Sequence, residues 1–97
     1  MAQFIALLAR NYERFSEDDF APLLEPEAEQ ARRLYAEGKL RTIWSRRDVP
    51  GAVLIFEAAD EAQARAYAGT LPLLARGMLE VQAFLEVGPY RGFGPRG

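Results

Sequence analysis

The stretch Gly38–Phe56, GKLRTIWSRRDVPGAVLIF, decides the fold. Lys39–Ser45 alternates in polarity and Ala52–Glu57 is apolar almost throughout, which predicts two strands. Between them lies Arg46-Arg47-Asp48-Val49-Pro50-Gly51, charged and carrying Pro and Gly, the composition of a turn. The pair reads as a hairpin, with the remainder of the chain as its cover or its neighbour. Regular alternation along the first strand puts Leu40, Thr42 and Trp44 on one face and Arg41, Ile43 and Ser45 on the other.

Upstream of the hairpin the spacing turns helical. Leu24, Ala28, Ala31, Leu34 and Tyr35 recur on one face, with the start near Pro22 or Pro26. Gly38 is placed where a helix ends in a left-handed residue. Asn11–Asp19 is polar, and Ser16 with Asp19 forms a short capping signal. Ala2–Ala9 reads as a strand with Phe4, Ala6 and Leu8 on one face and Ile5, Leu7 and Ala9 on the other. A strand apolar on both faces needs cover on both. Downstream, Asp60 and Gln63 mark a second helix, with Ala62, Ala66 and Tyr67 as its expected buried face. Gly69 and Leu71-Pro72 end that helix, and Leu73–Arg76 adds a further turn. Met78–Val87 alternates cleanly. Its odd positions, Leu79 to Val87, are expected to meet the helices, and its even positions, Met78, Glu80, Gln82, Phe84 and Glu86, form a mixed wall.

The order is β-α-β-β-α-β, a ferredoxin-like α+β fold with a four-stranded antiparallel sheet. Residues 1–88 form the domain and 89–97 an irregular tail, whose Tyr90 and Phe93 are expected to pack, either on this chain or on a partner chain. A single layer of this size is marginal, and the uncovered apolar face calls for a second copy packed sheet to sheet, a dimeric α+β barrel or higher homo-oligomer.

With a net charge of −2 and mixed signs, the chain lacks the basic stripe of a nucleic-acid binder or a membrane-surface protein. Its apolar runs are strand-sized, and Met1–Arg10 lacks both the basic start and the cleavage signal of a secretory leader, so a cytoplasmic protein is expected. There is no cysteine and no histidine. Disulfides, thiol nucleophiles, Cys/His zinc sites and Ser-His-Asp triads are thereby excluded. Acid–base chemistry falls to Asp, Glu, Tyr, Lys or a substrate group.

Gly38-Lys39, Arg41, Trp44, Leu71-Pro72-Leu73 and Glu80-Val81, in this order and without gaps, resemble the muconolactone delta-isomerase family of dimeric α+β barrels. An acidic helix with Glu27 lies upstream in the matching place, and the tail Pro89–Arg96 looks like that of small members of unassigned role. The resemblance implies a cofactor-free, metal-free isomerase of aromatic catabolism that moves a double bond in an unsaturated lactone. It also implies histidines in the first two strands, where this chain has Thr42 and Ile43. Such a proton shift needs a carboxylate in a dry pocket and a donor for the enolate oxygen. Glu80 is the candidate base. Arg41 is the candidate partner of a substrate carboxylate, Trp44 an apolar wall, and Gln82, Phe84 and Tyr12 further ligand contacts.

Plainer roles compete. Trp44 suits a dimer interface, and Glu80 can pair with Arg41. Arg41 and Trp44 share a pocket only if a bulge intervenes. Glu27 reads as a first-turn residue favoured by the helix dipole. The alternative function is a non-catalytic dimeric binding or assembly module.

Overall fold

The structure is a computed structural model, and residues 1–93 are described. Four strands, β1 (Ala2–Arg10), β2 (Leu40–Ser45), β3 (Gly51–Ala58) and β4 (Leu79–Val87), form one antiparallel sheet in the order β2-β3-β1-β4. Between β1 and β2 come α1 (Glu17–Phe20), a 3-10 turn (Ala21–Leu23) and α2 (Leu24–Ala36). Between β3 and β4 come α3 (Glu61–Ala68) and α4 (Pro72–Ala75). This is the expected ferredoxin-like α+β arrangement. Gly38 ends α2 at φ +77° and Gly77 precedes β4 at φ +72°, both in the left-handed region that a side chain disfavours.

One face of the sheet is covered. Phe4, Ala6 and Leu8 of β1 and Leu54, Phe56 and Ala58 of β3 pack with Ala31 and Leu34 of α2, Ala64 and Ala68 of α3, and Leu71. Each fully buried Phe or Leu here stabilises the fold by roughly 1.5–3 kcal/mol. A second, smaller cluster of Phe20, Leu73 and Met78, joined by Phe15, Leu23 and Leu79, anchors α1 and α4. The other face carries Ile5, Leu7, Val53, Ile55, Ala83 and Leu85, paired across β1, β3 and β4 and half-buried or exposed. This open face is the uncovered apolar surface expected from β1.

The caps formed as their residues require. Asp19 accepts the Ser16 N–H at 2.8 Å, and Asp60 accepts the Gln63 N–H at 2.8 Å. Gln63 closes back on the Ala59 N–H at 2.7 Å, one residue earlier than a standard capping box.

Two helical faces differ from expectation. Ala64 and Ala68 are buried on α3, whereas Ala62 and Ala66 are exposed. Alanines at 62, 64, 66 and 68 leave the helical phase undetermined, and Leu71 sets it by continuing the line from Ala64 and Ala68. On α2 the buried residues are Ala31 and Leu34, while Leu24 and Tyr35 are exposed. Extending that line back one turn reaches Glu27, which is half-buried.

Two bulges overturn strict alternation. In β2, Leu40 pairs with Phe56 and Thr42 with Ile55, so Arg41 is an extra residue. In β4, Ala83 pairs with Leu7 and Val81 with Leu8, so Gln82 is extra. Beyond that bulge the expected faces of β4 exchange. Phe84 turns toward the helices, stacked on Phe56 at 6.3 Å, while Ala83, Leu85 and Val87 take the open face.

Among the described residues no helix is long and apolar enough to cross a membrane. Tyr90 and Phe93 are 82% and 84% exposed, and residues 94–97 of the expected tail lie outside the described residues.

Candidate functional site

β1 and β2 end, and β3 and β4 begin, at the same end of the sheet. There the helix-facing side chains Arg10, Ser45, Ala52 and Leu79 surround a cavity of about 440 Å³. Leu24 and Glu27 of α2, Leu73 of α4, Tyr12 and Glu17, and Ile43, Arg46, Pro50 and Gly51 of the β2–β3 hairpin complete its lining. The volume lies within the range of small-molecule sites, ~300–1,000 Å³.

Glu27 is its most unusual member. Pro72 opens α4 without an N–H, so Leu73 carries the first amide donor that the helix leaves unpaired. The Glu27 carboxylate accepts that N–H at 2.9 Å, its sole recorded partner among the described residues. Burial pushes the Glu27 carboxyl above its ordinary range, and the Leu73 N–H offsets only part of that rise.

Beside it stands a three-membered polar network. Arg10 donates to the Tyr12 hydroxyl at 2.9 Å and to Glu17 at 3.0 Å, and Tyr12 donates to Glu17 at 2.7 Å. The Arg10 guanidinium lies 4.7 Å from the centre of the Phe20 ring, and Tyr12 packs on the same ring at 5.3 Å. Phe20 is fully buried, so it fixes both side chains. The hydrogen bond from Tyr12, opposed by desolvation and aided by Arg10, lowers the Glu17 carboxyl. The cavity thus combines one carboxylate of raised basicity with a held cation and a phenol, the parts required to move a proton and steady an oxyanion.

The residues expected to form the site are dispersed. Glu80 is exposed and pairs with Ala9, on the open face. Gln82 accepts from Arg46, and Phe84 lies in the helix-facing layer with the Arg65 guanidinium 4.4 Å from its ring centre. Glu80 and Phe84 therefore do not share a wall, because the bulge at Gln82 separates their faces. Arg41 pairs with Glu57 at 3.2 Å, and Trp44 lies opposite Val53 and is 57% exposed. The β2 bulge brings Arg41 and Trp44 to the same face after all, the open one. Tyr12 alone of these lines the cavity with a carboxylate of raised pKa.

Sequence reasoning passed over Arg10 and Glu17 and gave Glu27 only a first-turn role. The available signal was the placement of Glu27 one and two turns before Ala31 and Leu34, on the buried stripe. A larger groove of about 790 Å³ lies between α2 and the edge strand β2, lined by Arg32, Tyr35 and Arg41, with no carboxylate. It lacks a base. Among the described residues no cluster of His, Cys, Asp and Glu is arranged to hold a metal ion.

The family model of muconolactone delta-isomerase matches residues 7–86. No curated protein matches the sequence. Among solved structures, the chain is similar to 5-chloro-2-hydroxyhydroquinone dehydrochlorinase from Burkholderia phenoliruptrix AC1100, in complex with 2,5-dihydroxybenzoquinone. The TM-score is 0.66, the identity 15%, and the match covers 93% of this chain and 95% of that one. At that identity the likeness speaks for the fold.

Proposed function

Because the chain belongs to the muconolactone delta-isomerase family, we propose that it is a cofactor-free isomerase-like enzyme, cytoplasmic and acting on a small unsaturated lactone or aromatic-derived metabolite. Glu27 takes the place that sequence reasoning gave to Glu80. The observation that carries this reading is a half-buried carboxylate of raised pKa in one cavity with Arg10 and Tyr12.

In the proposed reaction on muconolactone, whose double bond is conjugated with the lactone carbonyl, Glu27 removes the proton from the ring carbon at the far end of that conjugated system. The C–H electron pair moves into an enolate, whose oxygen is stabilised by the Arg10 guanidinium, which Tyr12 helps to hold in place. The proton held by Glu27, which exchanges with solvent, is returned at the carbon beside the carbonyl. The double bond moves, and no electron enters or leaves. A raised carboxyl pKa suits this, since a base works best when its pKa approaches the working pH.

The test is deuterium wash-in and double-bond migration in muconolactone, followed by proton NMR. Glu27→Gln is expected to slow both by about 10²–10⁴-fold. If Glu80→Gln abolishes exchange while Glu27→Gln does not, the chemistry belongs to the open face instead.

The open face supports a second proposal, assembly. Its apolar side chains, which extend from Trp44 on one edge strand (57% exposed) to Leu85 on the other (46% exposed), are suited to a second copy packed sheet to sheet. Tyr90 and Phe93 are the tail residues proposed to reach that partner. The cavity lies on the helix-facing side, so the catalytic proposal does not require the second copy. A purely structural role for the protein would leave lactones untouched while the oligomer persists.

A further inference from the structure

Arg46 belongs to the turn after β2, yet its side chain is only 10% exposed. One edge of its guanidinium holds Asp48, with Nε donating to Oδ1 at 2.9 Å. Nη1 crosses the sheet instead. It donates to the Leu8 carbonyl of β1 at 3.3 Å and to Gln82 of β4. Those two residues are where the β1–β4 register shifts.

The Leu8 carbonyl lies on the β3 side of β1, against Gly51, and anchors the guanidinium to the sheet, while the tie to the bulge itself runs through Gln82, the extra residue. A guanidinium is a strong donor for both oxygens. Gly51 makes this meeting possible. A Cβ there would lie 2.1 Å from the Leu8 oxygen, so only the bare backbone of β3 fits beneath the clamp.

The bulge in turn aims Leu79. Leu79 and Phe84 are an odd number of residues apart, and in a regular strand they would point to opposite faces. Here both pack against the same helix-facing core, and Leu79 is a wall of the cavity. Removing the extra residue from the ladder would swing Leu79 to the open face.

We propose that Arg46, which also lines the cavity, is a positioning residue for it: through Gln82 it holds the β4 bulge that makes Leu79 part of the ligand-facing wall. The functional part of this inference rests on the cavity being the site, and its structural part does not.

The test separates the two. In the wild-type protein, NOEs are expected from the Leu79 methyls into the Phe20–Leu73–Met78 cluster, against which Leu79 packs. Arg46→Met and Gln82→Leu are expected to lose them, and Gln82→Glu, which still accepts from Arg46, to keep them. With muconolactone as the probe, the two disruptive variants are expected to raise KM about tenfold with little change in kcat, the signature of lost ligand contact. Asp48→Asn, which spares Nη1, is expected to keep both the NOEs and KM. Should Arg46→Met fail to fold, Gln82→Leu at its exposed position decides. Retention of the NOEs in Gln82→Leu overturns the inference whatever the kinetics show, and so does an Asp48→Asn variant as impaired as Arg46→Met. A wild-type protein inactive on muconolactone counts against the isomerase proposal alone, because the NOEs still judge Arg46.

Discussion

Glu27 and Leu73 meet through a 2.9 Å hydrogen bond although 46 positions separate them in the chain. The contact ties the first turn of α2 to the first turn of α4 and places a carboxylate in the cavity lining. Replacing Glu27 by Ala removes the cap, and a loss of about 0.5–2 kcal/mol is expected in urea unfolding. Glu27→Gln keeps an oxygen for the Leu73 N–H and should lose far less. Activity, in contrast, should fall in both.

The pH dependence of stability follows from the direction of the Glu27 shift. The folded-state pKa lies above the ordinary 4.5, so the folded protein holds this proton more tightly than the unfolded chain does. Its contribution is fully present below 4.5 and is lost as pH rises through the raised value. Relative to wild type, Glu27→Gln should therefore gain stability across that window. Thermal unfolding of the two proteins at a series of pH values, read as a difference, checks the sign.

Asp48 behaves oppositely. The hydrogen bonds from Arg46 hold its carboxyl down to about 2 from 3.8. Its contribution is present above 3.8 and is lost as pH falls through about 2. NMR titration of the Asp48 side-chain carboxyl should show the low midpoint in wild type and a return toward 3.8 in Arg46→Met.

Gly51→Ala should be among the most damaging single-methyl additions in the chain. The new Cβ would meet a backbone oxygen at 2.1 Å, and a strand carbonyl cannot swing aside as a flexible side chain can. A loss of about 1–3 kcal/mol is expected, as for overpacking elsewhere. Ala at Gly88, where a Cβ meets nothing within 4 Å, is the control and should change little.

The assembly proposal is checked by Leu85→Lys. A charge within an apolar interface, with no partner for it, should shift native mass spectra from a dimer or larger species to the single chain. The cavity residues are untouched, so lactone turnover should survive.

The hairpin, the four strands and their order were legible because alternating and apolar runs of strand length are bounded by Pro, Gly and caps. Asp60 and Gly38 fixed their helix ends for local reasons that need no tertiary contact. The faces were less legible. Nothing in Arg41 or Gln82 announces an extra residue, because a bulge is chosen by how neighbouring strands register, and each insertion reverses every side chain beyond it. That is why Arg41 joined Trp44, and why Phe84 parted from Glu80. Glu27 was hidden differently: an acidic residue in a first turn has an ordinary explanation, and its second role appears only when Leu73 arrives from the distant α4.

The two bulged strands, β2 and β4, are also the outermost ones. Each margin of the sheet is thus interrupted by a surplus residue, and on β2 that residue is a charged arginine. A stray strand in regular pleat loses step partway along either rim. The irregularity that re-aims side chains within one molecule thereby guards against ribbon-like growth into fibrils.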